Sequence, residues 1–121
     1  MYDPEMRHLL DRYILDGHTP MRCDDLLAYD LWRRTADRTV ARDDLFPDGP
    51  GGTKIRVSTI FLALDYQWQP DGPPLLFETT VHDQTSYQWL FAYAPQYSTW
   101  EEAELGHREV CAEVRSDRRG G

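Results

Sequence analysis

Val57–Asp65 reads VSTIFLALD, and after a proline- and glycine-rich turn Pro73–Thr79 reads PPLLFET. In the first run Val57, Thr59, Phe61 and Ala63 alternate with Ile60, Leu62 and Leu64, so both alternating sets are apolar at the centre. That pattern predicts a β-strand lying centrally in a sheet and covered on both faces. Gln69–Pro74, QPDGPP, carries turn punctuation, and the LLFETTV that follows predicts the returning strand. A hairpin pairing of the two puts Phe61 and Phe77 on one face. YQWLFAY, residues 87–93, predicts a third strand with Trp89, Phe91 and Tyr93 on one side.

Working outward, STWEEAELGHREVCAEV (98–114) carries the clearest helix signal. Thr99 and Glu102 have capping-box spacing. Ala103, His107, Val110, Cys111 and Val114 share one helical face. Gly106 costs roughly 1 kcal/mol relative to Ala in a helix, and a close approach of helix to sheet would explain it. Upstream, Asp24 is placed to cap a helix over about 25–38, with a stripe of Leu27, Leu31, Ala28, Trp32 and Thr35. Asp30 with Arg34, and Arg33 with Asp37, have the spacing of surface ion pairs.

The segment before it has two readings. Met6, Leu9, Leu10 and Tyr13 fit a short helix over Pro4–Leu15, while Asp16-Gly17 fits a turn following a strand at Tyr13–Leu15. PDGPGGT, residues 47–53, is a loop too short to divide the chain. The fold expected is therefore one α+β domain over 1–121. It has an antiparallel sheet of three or more strands, a C-terminal helix packed on one face and an N-terminal helical segment. Arg115–Gly121 is expected to be a frayed tail.

The chain carries 21 acidic against 13 basic residues, a formal net charge of -8. Binding nucleic-acid phosphates or anionic membrane needs clustered cations, so direct phosphate or membrane binding is not expected. Cys23 and Cys111 show no CxxC and no Cys/His metal spacing, and no signal peptide is read. No apolar run approaches the ~20 residues of a bilayer span. The expected location is a reducing cytoplasm.

No nucleophile elbow, P-loop, GxGxxG or HExxH occurs. No catalytic residue, metal ligand or cofactor is assigned. Candidate ligand-binding residues are Asp65, Tyr66, Trp68, Glu78, His82, Trp89 and His107. Glu78 lies among apolar neighbours, and a buried carboxylate must find donors or shift its pKa. It is read either as bonded to Ser58 or a backbone edge, or as a ligand-orienting group. Glu78 and His82 share a strand face but stand roughly 13 Å apart, too far for a proton relay. His107 is read as a histidine hydrogen-bonded into the sheet. The aromatic residues at the hairpin end and on the third run suit either a binding surface or a small core.

Together RVSTIFLALD, GPPLLFETTV and YSTWEEAELGH resemble a small-protein family of actinobacterial tailed phages and their prophages. That family's pattern runs VSTVxLGLDH, then PLLFETMVF, then YxTxxEAxxGH, and the likeness covers about Val40 to Val110. Ala63 stands where the pattern has glycine, Tyr66 where it has histidine and Thr80 where it has methionine. Tyr66 removes the one histidine that would have paired with Asp65. The resemblance implies a phage accessory protein in a bacterial host cell, but no particular reaction. A non-enzymatic protein that binds a host protein or sequesters a small, nucleotide-like molecule is the leading expectation, with homo-oligomerisation as a companion. The alternatives are a small hydrolase using Asp65, Glu78 and His107, and an acidic nucleic-acid mimic.

Overall fold

In the computed structural model, which describes residues 10–90 and 94–120, the two apolar runs lie side by side as strands. The element order is β1 (Tyr13–Asp16), β2 (Thr19–Arg22), α1 (Leu26–Thr35), β3 (Thr39–Leu45), β4 (Ile55–Phe61), β5 (Phe77–Asp83), β6 (Gln88–Trp89), β7 (Gln96–Tyr97) and α2 (Trp100–Gly120). Among the described residues β3-β4-β5-β6 form an antiparallel sheet, with β7 also paired to β5, and β1 and β2 form a separate hairpin. The protein is thus α+β, with α2 packed on the larger sheet.

β4 pairs with β5 from Ile55↔Asp83 through to Phe61↔Phe77, as the shared face of the two phenylalanines required. Their rings are 5.2 Å apart. Along both strands burial alternates residue by residue: Val57, Thr59, Phe61, Phe77, Thr79 and Val81 are buried, while Ser58, Ile60, Glu78 and Thr80 are half-exposed. The expectation of a strand covered on both faces is corrected here. β4 is central, but α2 covers only one face, and the polar residues Arg56, Ser58, Glu78, Thr80 and His82 are the ones left uncovered.

The covered face holds two apolar clusters. Leu45, Ile55, Val57 and Val81 pack with Val110, Cys111 and Val114 of α2. Phe61, Ala63, Leu76 and Phe77 pack with Tyr29 and Ala103. Thr59, Thr79 and His107, also buried, are the polar residues of this face.

α2 begins with the expected capping box: Glu102 N–H donates to Thr99 Oγ1 at 3.1 Å, and Thr99 N–H to Glu102 Oε1 at 3.1 Å. Its stripe is buried from Ala103 to Val114, and the helical backbone continues to Gly120. A Cβ on Gly106 would stand 2.2 Å from Tyr97 Cε1, so the glycine makes room for the Tyr97 ring packed against α2.

α1 corrects the expected stripe. Asp25, not Asp24, caps it by accepting from Ala28 N–H at 3.1 Å. Leu26, Leu27 and Leu31 face outward, at 65%, 69% and 58% exposure, while Tyr29 is buried and Trp32 packs edge-on against Phe61. The Tyr29 hydroxyl donates to the Ala63 carbonyl at 2.9 Å, fixing which side of α1 turns inward. The Asp30–Arg34 pair forms at 2.9 Å. The helix stops at Thr35 and the chain enters β3, a strand absent from the expected order.

At the start of the described chain, Tyr13–Asp16 is a strand, so the strand-and-turn reading holds from Tyr13 onward. The rest of the helix reading, Pro4–Leu9, falls outside the described residues. Within the described residues the third strand spans Gln88–Trp89, and Phe91 and Tyr93 lie outside them.

Candidate functional site

β4 and β5 continue past their last ladder pair into a built loop. Leu62 N–H donates to Leu76 O at 2.6 Å and Tyr66 N–H to Leu75 O at 3.0 Å. Between them Ala63 has φ +66°, a left-handed conformation that glycine adopts without steric cost. Asp65 is buried, and its Oδ1 accepts from Gln67 N–H at 2.8 Å and Leu75 N–H at 3.1 Å. A buried carboxylate needs such donors, and here they bind the two sides of the loop together. Asp65 is therefore a loop-closing residue. Tyr66 and Trp68 are exposed at this end of the hairpin.

The other sequence-selected residues separate by strand parity. Glu78 and His82 lie on the uncovered face. Glu78 Oε1 accepts from Gln96 Nε2 at 3.2 Å, so its partner is Gln96 and not Ser58. His82 lies directly opposite Trp89 of β6, with ring centroids 4.4 Å apart. Gln84 Nε2 lies against His82 Nδ1.

His82 and Trp89 form one end of an open groove of about 400 Å³ across the uncovered face. Arg42, Arg56, Ser58, Ile60, Thr80 and Gln84 complete its lining. Arg56 faces Asp44 across the β3–β4 ladder, with Nε 2.8 Å from Oδ1. The Arg56 hydrogen bond holds the Asp44 carboxyl below its ordinary value. Arg42 is exposed and makes no ion pair among the described residues. The groove thus offers an exposed indole, an imidazole tilted against it, two hydroxyls and a guanidinium without an ion pair among the described residues.

His107 lies on the other side of the sheet, in a hydrogen-bonded row. Asp43 Oδ2 is 2.8 Å from His107 Nε2, His107 Nδ1 is 2.8 Å from Thr59 Oγ1, Thr59 Oγ1 is 2.5 Å from Thr79 Oγ1, and Thr79 Oγ1 is 3.1 Å from the Tyr97 hydroxyl. Burial raises the Tyr97 pKa, opposed by its bond to Thr79. Burial, and then Asp43, push the Cys111 thiol up to about 11.

Asp65, Glu78 and His107 consequently do not meet: Asp65 closes a loop, Glu78 holds Gln96 on the uncovered face, and His107 points from α2 into the covered face of the sheet. Only His82 and Trp89 of the seven candidates line the groove. Sequence reasoning missed Arg56, Ser58 and Thr80, although β-strand alternation puts them beside Ile60 and His82 once the register is known. It missed Arg42 and Asp43 because it missed β3.

No protein-family model matches the chain, and no curated protein or solved structure matches it. Among the described residues no helix is long and apolar enough to cross a membrane.

Proposed function

We propose that the protein is a non-enzymatic phage accessory protein, acting in the host cytoplasm, that captures a planar anionic small molecule of nucleotide-like chemistry on its uncovered sheet face. The observation that carries this reading is that the exposed Trp89 ring and Arg42, which makes no ion pair among the described residues, line one groove. An aromatic base stacks on an indole, and a phosphate is drawn to a guanidinium. Ser58, Thr80 and His82 supply hydrogen bonds between the two ends. A local cationic patch on a chain of net charge -8 suits one small anion and disfavours a long polyanion. The nucleic-acid mimic has weaker support, since Asp11, Asp24, Asp30 and Asp44 are each spent on an arginine.

Calorimetric titration with a mononucleotide and a cyclic dinucleotide tests the reading. Trp89→Ala is expected to weaken the better ligand by roughly tenfold or more, as loss of one stacked base would. Arg42→Ala is expected to weaken it and to flatten its salt dependence. Absence of binding by both probes, or affinity unchanged in both variants, overturns it.

A second reading, self-association, is favoured by the outward leucines of α1. Leu26, Leu27 and Leu31 put adjacent apolar area in water where a second copy would cover it. Light scattering of the wild type and Leu27→Asp decides this. A concentration-dependent dimer lost in the variant supports it, and a monomer at all concentrations ends it.

A further inference from the structure

His107 and Cys111 stand one turn apart on the inner face of α2, and Asp43 reaches the same point from the edge strand β3. Asp43 Oδ2 is 2.8 Å from His107 Nε2 and 3.9 Å from Cys111 Sγ, and the three ligand atoms all lie within 4.8 Å of one another. We propose that Asp43, His107 and Cys111 bind a zinc ion whose fourth position is open to water. The site lies on the covered side of the sheet, so it stands or falls independently of the groove.

Thiolate, imidazole and carboxylate are the ligand types zinc takes, and its bond lengths set donor atoms roughly 3.4–3.6 Å apart in a tetrahedron. The three atoms straddle that spacing. Opening the Asp43–His107 contact by roughly half an ångström admits the ion. The movable member is Asp43, whose side chain is 54% exposed against 3% for His107. Two ligands on one helix with the third at a sheet edge leave the remaining coordination position toward solvent, the arrangement of a zinc that keeps an exchangeable water.

Thr59 supplies an independent indication. A metal-bound histidine ordinarily donates its other ring N–H to a fixed acceptor, and Thr59 Oγ1 lies 2.8 Å from His107 Nδ1. Without metal, Nε2–H donates to Asp43 and the Thr59 hydroxyl donates to Nδ1. With metal, the Nε2 lone pair goes to zinc, the ring proton sits on Nδ1 and Thr59 accepts it. The Thr59, Thr79 and Tyr97 hydroxyls each donate and accept, so the row can reverse direction, ending at the half-buried Tyr97 hydroxyl. The Cys111 proton leaves to solvent, and thiolate plus carboxylate neutralise the divalent ion.

The test uses chelator-treated protein titrated with cobalt(II), then zinc in competition with a chromophoric chelator. One equivalent of cobalt should produce a thiolate-to-metal charge-transfer band. Cys111→Ser should abolish the band and Cys23→Ser should leave it. Asp43→Asn, exposed and isosteric, should keep the fold by circular dichroism and weaken zinc by at least about tenfold. A wild type without the band, a band that follows Cys23, or zinc affinity unchanged in Asp43→Asn overturns the proposal.

Discussion

Phe77 and Glu78 are neighbours in the chain and inhabit opposite worlds. Phe77 is fully buried between Phe61 and Trp100, and Glu78 holds Gln96 on a face that neither described helix covers. The same contrast repeats at Val57 and Arg56, and at Thr59 and Ser58. One face of the sheet therefore carries the stability of the fold, including its buried polar row. The other carries cations, hydroxyls and an exposed indole whose removal leaves the core intact. A function placed on the open face can change without cost to folding, whereas chemistry at His107 is tied to it.

The largest expected difference between the faces is at their apolar residues. Phe77→Ala should cost about 3–5 kcal/mol in urea unfolding, while Ile60→Ala should cost about 1, because part of Ile60 is already in water. Equal costs would mean that something covers the open face in solution. Gly106→Ala should follow at about 1–3 kcal/mol, since Tyr97 must move, even though helix propensity alone favours Ala. Restoration of most of that loss by a second substitution, Tyr97→Ala, would locate the clash at that ring.

Thr59→Val preserves shape but leaves Thr79 and His107 short of a partner, for about 1–3 kcal/mol. The adjacent Ser58→Ala should stay within about 0.5 kcal/mol, and a larger effect there would break the contrast. The smallest effect is electrostatic. Arg56 depresses the Asp44 pKa below its ordinary 3.8, so the pair's contribution is complete above that value and fades as pH falls through the depressed one. Asp44→Asn should make the acid limb of stability below about pH 4 shallower and leave neutral pH nearly unchanged, as measured by thermal unfolding across pH.

Local patterns were readable wherever neighbouring residues supply the physics. The Thr99–Glu102 box and the α2 stripe followed from spacing alone, whereas Gly106 is explained by the Tyr97 ring, which spacing does not show. α1 was read with Leu27 and Leu31 inward beside Trp32; Trp32 does turn inward, but its buried companion is Tyr29. Hydropathy favours the leucines, but the hydroxyl bond from Tyr29 to Ala63, on a segment 34 residues away, decides for the tyrosine. β3 was hidden because Arg42, Asp43 and Asp44 put three charges in an edge strand, where water reaches them.

The candidate sites were less legible than the fold. Asp65 drew notice as a candidate partner of Glu78 and His107 and proved to be bonded within its own loop. The groove needed the β4–β5 register and β3, and the Asp43–His107–Cys111 cluster joins residues 64 apart. The sequence by itself determined the α+β class, the hairpin that shares Phe61 and Phe77, and the capped C-terminal helix. Each of these rests on periodicity, caps or turns acting over a few residues. Which face α2 covers, which side of α1 turns inward and which polar residues meet were decided only by tertiary packing. Those outcomes depend on the relative fit of distant surfaces, and no local spacing encodes it.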